Sequence, residues 1–419
     1  NRRCDKPNQS EVQIAMEKNQ QNPSDNDTPL LDELEKGRWP SFVKELKSAA
    51  HSSPMAKDLL GQLELSYREK IHFWKHGGIV GIRGYGAGVI GRYSDAGDKF
   101  PNVSECHTLR VGAPAGKFYT SEVLRKLCDV WERHGSGLAN FHGSTGDIIF
   151  LGCKKEYLEE VFQGFIRIGF DLGGSGSVMR TPNCCIGPAR CEWACYDTLG
   201  LTHEMTMAYL DELHRPFFPH KFKIKCSGCP NDCAGAIARS DIAIIGIWKD
   251  DIQIDQQEVR KYADSGLNIQ EEVVGRCPAQ CMGWNGSSLY IDDSSCVKCM
   301  HCINVMTKAL RPGKERGASI LVGGKVPITE GPRLASVLVP FWQPSPSYSD
   351  LKDLIDRILE VWGEEARNRE RVGEFIQRIG LANFIRKIGI DPVPEMIDHP
   401  RENPYMRYEK AERIEGESL

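Results

Sequence analysis

An α+β protein interrupted by a cysteine-rich insertion is the fold class that this sequence predicts. Three observations point to it. Short extended runs alternate with stretches at helical spacing after Cys106, and two apolar, β-branched runs, Asp241–Trp248 and Ser319–Gly323, flank a long gap. That gap holds cysteines three and four positions apart, closer than a scattered disulfide framework would place them. With 419 residues, 40% apolar and 26% charged, the chain can build two or more ordinary cores.

In chain order, residues 1 to about 28 are polar and poor in apolar positions, as in a mobile arm or one ordered only by a partner. Leu30 to Ala50 reads as helical. Between His72 and Arg92, closely spaced glycines from Gly77 to Gly91 break up short Ile/Val runs, a pattern of turns, bulges or close backbone approach. Then come His107–Val111 extended, Ser121–His134 helical and closed by Gly135, Asp147–Leu151 extended, and Lys155–Gln163 helical. After the stretch Pro340 to Pro346, Ser349 is placed to cap a helix on which Leu351, Leu354, Ile355, Ile358, Leu359 and Trp362 recur at helical spacing. The expected division is an N-terminal arm and helical region over 1–76, a core over 77–249 plus 318–345, an insertion over 250–317, and a helical C-terminal region over 346–419.

The net charge of -4, with no Lys/Arg-rich block, argues against a nucleic-acid scaffold. Asn1-Arg2-Arg3 leads into no apolar signal region, and no window approaches the ~20 apolar residues that span a bilayer. A cytoplasmic protein in a reducing compartment is expected, and the close spacing of several of its 16 cysteines favours metal ligation, the spare ones being small buried hydrophobes.

Within the insertion, Cys296-x2-Cys299-x2-Cys302 is three quarters of a bacterial ferredoxin motif, and Cys277-Pro278 can supply the displaced fourth thiolate. Met306 stands where the run would otherwise close on its own cysteine, so one [4Fe–4S] cube is expected rather than two. Zinc also accepts paired cysteines, but the three-cysteine run with a remote Cys-Pro favours iron–sulfur. Cys281 is the alternative to Cys277.

A second quartet is Cys185-x5-Cys191 with Cys229-Pro-Asn-Asp-Cys233, spacings suited to a cube seated against an iron tetrapyrrole. Pro230 can open a helix that would put Cys229 and Cys233 on one face. Cys195, four residues after Cys191, competes for a place in the set, and Cys184 or Cys226 could substitute by a small register shift.

These motifs, with Lys221-Phe222-Lys223 just upstream, resemble those of the sirohaem sulfite and nitrite reductases. The run Thr28–Glu35, the insertion and Asp211-Glu-Leu-His-Arg-Pro narrow the resemblance to the alpha subunits of dissimilatory sulfite reductase, from Thr28 onward. The resemblance implies a sirohaem reductase core and a six-electron reduction of sulfite toward sulfide. It implies sirohaem and two [4Fe–4S] clusters per chain, with Cys233 bridging cube and sirohaem iron. It also implies Arg110, Arg180, Lys221 and Lys223 as the substrate quartet. A homologous beta subunit in an α2β2 complex and a small sulfur-carrier protein are the implied partners. Since each subunit resembles half of a duplicated enzyme, the quartet could act on a sirohaem anchored by the partner's cysteines. A sirohaem nitrite reductase and a non-catalytic electron-transfer subunit are the alternatives.

Sulfite chemistry itself requires fixed positive charge for a small anion and proton donors for oxygens that leave as water. On an extended strand Lys221 and Lys223 project to one side and Phe222 to the other; Lys225 continues the cationic side and could pair with a sirohaem carboxylate. The competing explanation is the solvated face of an edge strand. Sirohaem carboxylates need a basic, hydrogen-bonding cradle. Arg83, Arg92, Arg239 and the loop His142-Gly-Ser144-Thr145-Gly are candidates, although surface arginines and a glycine-rich turn explain them almost as well. His142 reads as structural rather than as a proton donor.

Overall fold

The computed structural model describes residues 28–36, 41–215, 218–326 and 333–396; the arm expected over 1–27 lies outside them. Where one helix was expected over Leu30–Ala50 there are two, α1 (Pro29–Glu35) and α2 (Phe42–Ala50). Gly37 and Pro40 lie between them in sequence, and the Ser41 hydroxyl starts α2 by accepting from the Val43 N–H at 3.1 Å. The first turn of α1 is capped from a distance. Glu64, on α3 (Pro54–Glu69), accepts from the N–H groups of Leu30 and Leu31 at 3.2 and 3.0 Å.

The first sheet contains β1 (Trp74–Ile82), β2 (Tyr85–Ser94), β3 (Glu105–Val111), β4 (Gly135–Phe141) and β5 (Ile148–Cys153), in the antiparallel order β1-β2-β3-β5-β4. Its glycine-rich entry is the β1–β2 hairpin, whose register slips between His76 and Gly78 and again between Val80 and Ile82. Gly88 is needed there: its φ is +103°, and a Cβ would come within 2.7 Å of Leu172 Cβ. Helices α4 (Ser121–His134) and α5 (Leu158–Arg167) cover the sheet, packing Leu127, Trp131, Val161 and Phe165 against Leu109 and Phe150.

The second sheet is mixed. Strands β6 (Asn183–Cys184), β7 (Ile224–Ser227) and β8 (Ile242–Trp248) run parallel, with α6 (Thr198–Ala208) on the crossover; β9 (Arg316–Val322) and β10 (Ser336–Trp342) continue antiparallel in the order β10-β9-β8-β7-β6. Strands β8 and β9 pair without a slip from Ile242↔Val322 to Trp248↔Arg316. The insertion therefore leaves and re-enters at one end of a long hairpin, which lets it fold on its own cluster of buried side chains without disturbing the sheet. β7 lies between β6 and β8, so the solvated edge strand considered for Lys221 to Lys225 does not occur.

Helices α7 (Ser349–Glu365), α8 (Val372–Ile379) and α9 (Leu381–Lys387) pack with α6 on one face of this sheet. Leu351, Leu354, Ile355, Ile358 and Trp362 are buried there, and the Trp362 ring packs at a tilt, 5.7 Å from that of Phe218 and 5.8 Å from that of Phe222. Burying each such side chain is worth about 1.5–3 kcal/mol. Ser349 is not the cap. Tyr348, at φ 47°, holds that position without a side-chain cap bond, and Ser349 is the first helical residue.

One buried ion pair ties these helices to the sheet. Arg371, at the start of α8, donates Nε to Asp241 Oδ1 at 2.9 Å and Nη2 to Oδ2 at 2.6 Å. Asp241 Oδ2 also accepts from the Lys223 N–H at 2.9 Å. Removing one partner leaves a buried charge alone and costs about 3–5 kcal/mol, whereas neutralising both can be close to neutral. Arg371→Gln is thus expected to lower the thermal midpoint of the assembled complex, and Arg371→Gln/Asp241→Asn to recover more than half of the loss. Equal midpoints for the wild type and the single variant would show that the pair holds nothing in place.

Candidate active site

Two neighbouring chain lines carry cations at one end and thiols at the other. Upstream of β6, Arg180 N–H donates to Phe222 O at 2.8 Å and Met179 bridges Phe222 in parallel. Downstream, Cys185 N–H donates to Cys226 O at 3.0 Å. Arg180 therefore lies beside Lys221–Lys223, and Cys185 beside the Cys226–Cys229 segment. The alternation expected for the lysine strand is present: Phe222 and Ile224 are buried in the main core, while Lys221 and Lys223 point away from it.

The cations outnumber their carboxylates. Arg110, 5% exposed on β3, donates Nε and Nη2 to Asp147 Oδ2 at 3.2 and 2.6 Å, and Nη2 also to Thr145 Oγ1 at 2.8 Å. Thr145 in turn donates to Asp147 Oδ2 at 2.7 Å and meets His142 Nδ1 at 3.1 Å; Ser144 Oγ accepts from Lys223 Nζ at 3.1 Å. With Asp147 committed to Arg110 and Asp241 to Arg371, Arg180, Lys221 and Lys223 have no ion pair among the described residues. Arg180 Nη2 donates to Gly176 O at 2.8 Å, while its buried Nε has no partner. Asp147, Asp241 and Arg371 were not anticipated; no local sequence signal marks Arg371, and only the Asp immediately before an apolar strand hints at the other two.

Crowding of like charges shows in the titration. Burial, aided by Arg371 and Lys221 against Asp241, lowers Lys223 to about 7. Burial, Arg371 and Arg180 lower Lys221, burial and Arg110 bring Arg180 to about 10, and burial with Lys221 brings His220 to about 4. His142 is lowered too, first by burial and then by Arg110. A group of half-buried cations without counter-charge is what an anionic ligand would satisfy.

The four thiols of the first quartet lie within one electrostatic neighbourhood. Cys229 is buried and senses Cys191, Cys233 and Cys185, and the exposed Cys233 senses Cys185 and Cys191. Gly228 N–H donates to Cys185 Sγ at 3.2 Å. Gly246 on β8 has to be glycine for this turn to lie flat, since a Cβ there would collide with the Gly228 carbonyl oxygen. The helical face expected for Cys229 and Cys233 is absent. Both sit on turns, because Asp232 adopts φ 47° and its carboxylate accepts from the N–H groups of Ala236 and Ile237, so the short helix Ala236–Arg239 begins only after Cys233. Cys191 and Cys195 share no helix either. Cys195 is buried beside Cys229 and Cys191 with its thiol 3.5 Å from Trp193 O, whereas Cys184 and Cys226 belong to the main core.

In the insertion, Cys277, Cys281, Cys296, Cys299 and Cys302 line one apolar cavity, and Met306 is buried beneath it. The insertion docks on the first quartet: Asn231 Nδ2 donates to Asn304 Oδ1 at 3.1 Å, and Asn304 Nδ2 donates back to Asn231 Oδ1 at 2.8 Å. Cys229 and Cys195 share the insertion's cluster of buried side chains. Among the described residues, no three ligating side chains converge closely enough for a single metal ion.

The remaining candidates are more scattered. Arg83, on the β1–β2 turn, is exposed and ion-paired with Glu159, away from the cation group. Arg92 is half-buried on β2 over the Trp74 ring, 6.0 Å from its centroid, with its Nε unpartnered. Lys225 is 3% exposed and donates to Ala234 O at 2.7 Å; burial, Lys117 and Arg239 lower it to about 8. Arg239, at the end of the short helix, is near enough to take part in that shift.

Residues 175–394, more than half of the chain, match the family model of the nitrite and sulphite reductase 4Fe-4S domain. Residues 101–167 match the nitrite/sulfite reductase ferredoxin-like half domain, which falls on the first sheet and not on the cysteine-rich insertion. Fold and site thus define an oxidoreductase of the nitrite and sulfite reductase class. The dissimilatory-type sulfite reductase subunit alpha of Nitratidesulfovibrio vulgaris is 49% identical over 418 residues, covering 93% of this chain and 95% of the relative. The crystal structure of dissimilatory sulfite reductase I matches with a TM-score of 0.85 at 47% identity, covering 94% of this chain and 97% of that one. A dissimilatory-type subunit beta from Archaeoglobus fulgidus is 26% identical over 352 residues, covering 79% of this chain and 88% of the relative. The chain belongs to the alpha subunits of dissimilatory-type sulfite reductase. The α+β class and the resemblance expected from the motifs are borne out, and homologous beta subunits accord with a subunit partnership. Among the described residues, no helix is long and apolar enough to cross a membrane.

Proposed function

We propose that this chain reduces sulfite by six electrons toward sulfide at a sirohaem coupled to a [4Fe–4S] cluster. The observation that carries the reading is the pair of adjacent chain lines, each with uncompensated cations at one end and quartet thiols at the other. The donor set fits the cofactors: four thiols suit a cube, and half-buried, unpaired guanidinium and ammonium groups suit an anionic ligand. Cys185, Cys191, Cys229 and Cys233 would hold the cube, and Cys233, the exposed thiol, would be the one to face the sirohaem. Arg92, Lys225, Arg239 and the His142–Thr145 loop would supply the groups for sirohaem carboxylates; Arg83 would have to leave Glu159 to join them. When bound, the sirohaem and its cluster supply the electrons.

The protein's own residues bind and protonate. Arg180, Lys221 and Lys223 attract the anion, and Lys223, poised near neutrality, can both donate a proton and recover it. Arg110 lies further back, held by Asp147, and fixes the loop that presents Ser144 to Lys223. Cys277, Cys296, Cys299 and Cys302 would hold a second [4Fe–4S] cluster. The two-way Asn231–Asn304 contact then sets the electron-feeding module against the first quartet. The working assembly is an α2β2 complex with the beta subunit, in the cytoplasm, served by a small sulfur-carrier protein. The division into 1–76, 77–249 plus 318–345, 250–317 and 346–419 is the domain scheme.

Anaerobic turnover of the intact complex with sulfite and nitrite tests the reading, with Cys296→Ser as the informative variant. The expected result is sulfite turnover that falls with loss of the insertion's iron while the sirohaem absorbance persists. Faster turnover of nitrite would favour a nitrite reductase. Unchanged sulfite turnover without the insertion's cluster would remove that module from the electron path.

A further inference from the structure

We infer that Cys281 is a reserve ligand of the insertion's cluster, placed to take the iron corner that Cys277 otherwise holds. The inference rests on the reading of the insertion as an iron–sulfur module. A cube takes four thiolates, yet five thiols line this cavity, and Cys281 is one of them. Its sulfur lies 3.6 Å from that of Cys277, so the two occupy neighbouring positions at the same corner.

Their backbones share one turn, in which the Cys281 N–H also approaches the Cys277 sulfur, but each has a further partner of its own. Cys277 sits on a turn, donating its N–H to Val274 O at 3.1 Å and accepting from Gln280 N–H at 3.1 Å. Cys281 accepts from Asp292 N–H at 2.7 Å, next to the small sheet of Met282–Trp284 and Leu289–Ile291, so its Cα is fixed by strand pairing. Losing the Cys277 thiol therefore leaves Cys281 where it is. Reaching the vacated iron then requires a side-chain rotation rather than a backbone rearrangement. Cys281 is also the more buried of the two, with the half-exposed Cys277 facing the side that solvent reaches. In the exchange the Fe–S bond to Cys277 breaks and one to Cys281 forms. Cys281 gives up its thiol proton, Cys277 takes one up, and no electron is transferred.

The test is made on the complex purified anaerobically as wild type, Cys277→Ala, Cys281→Ala and the double variant. Iron, acid-labile sulfide and the electron paramagnetic resonance signal of the reduced insertion cluster are measured. Sirohaem absorbance reports in each case that the chain has folded and loaded its other site. Cys281→Ala is expected to match the wild type, Cys277→Ala to keep a full cluster with a shifted signal, and the double variant to lose it. Loss of the cluster in Cys277→Ala as complete as in the double variant would overturn the inference. So would loss in Cys281→Ala with a wild-type signal in Cys277→Ala, which would make Cys281 the resident ligand. Absence of insertion iron in the wild type would instead overturn the module reading, and the inference with it.

Discussion

Cys233→Ser is expected to bring sulfite turnover down to the background of cofactor-free complex, and to erase the magnetic coupling between tetrapyrrole iron and cluster, while the insertion's cluster remains. Cys233 is the exposed member of its quartet, whereas Cys229 is buried and Cys185 is held by the Gly228 N–H. An exposed thiol is the one able to face a second iron. A hydroxyl is a poor ligand for either a cube corner or a tetrapyrrole iron, so the substitution removes two bonds at once. The loop should survive it. Its shape comes from Asp232, which accepts from the Ser227 hydroxyl at 2.6 Å and from the Ala236 N–H at 2.7 Å. Electron paramagnetic resonance of the anaerobic complex reads the coupling directly. A wild-type coupled signal would move the bridge to another thiol, Cys195 first, or to the partner subunit.

Much of this arrangement was legible in the sequence because it is local. Alternation over Lys221, Phe222, Lys223 and Ile224 fixes which side chains enter the core, and strand pairing preserves that choice. The flanking runs 241–248 and 319–323 share an unbroken register, so an insertion was the natural explanation of the gap between them. The periodicity of Leu351 to Trp362 likewise survives, since a stripe of that width must be buried somewhere.

What failed was also physical. A four-residue spacing suggested a helix at Cys229–Cys233, but a left-handed residue and a capping carboxylate at Asp232 postpone the helix to Ala236. A helical reading of Leu30–Ala50 ignored the breakers Gly37 and Pro40. The counter-charges of the cationic site were invisible because they come from afar: Asp147 stands 37 positions from Arg110, and Arg371 stands 130 from Asp241. Patterns of period two or three cannot report contacts at such separations. That hidden pair also governs chemistry, since Arg371 is the largest charge depressing Lys223.

Lys223→Met is expected to lower sulfite turnover at least about tenfold with fold and cofactor content intact, and Lys221→Met to do the same. A charge-assisted hydrogen bond is worth about 1.5–3 kcal/mol, and each ~1.4 kcal/mol of lost transition-state stabilisation is tenfold in rate. The pH dependence separates the two lysines. Lys223 is lowered to about 7 from 10.5, so in the unliganded fold its ammonium is present below about 7 and is lost as pH rises through that value. Between about 7 and 10.5 the unfolded chain binds the extra proton, so this residue's contribution to stability increases with pH across that window. Anion binding works in the opposite sense, because a bound anion favours the charged lysine. Affinity should therefore weaken above pH 7 by up to about tenfold per unit for one linked proton, with proton uptake on binding. Nitrite, whose charge is constant over this range, distinguishes the lysine's titration from that of sulfite itself; binding is followed by the tetrapyrrole absorbance of the loaded complex. Lys223→Arg keeps the charge at every accessible pH and should flatten the profile without abolishing binding. A profile equally steep in Lys223→Arg would assign the titration to another group, and wild-type turnover in both methionine variants would remove the lysines from the substrate site.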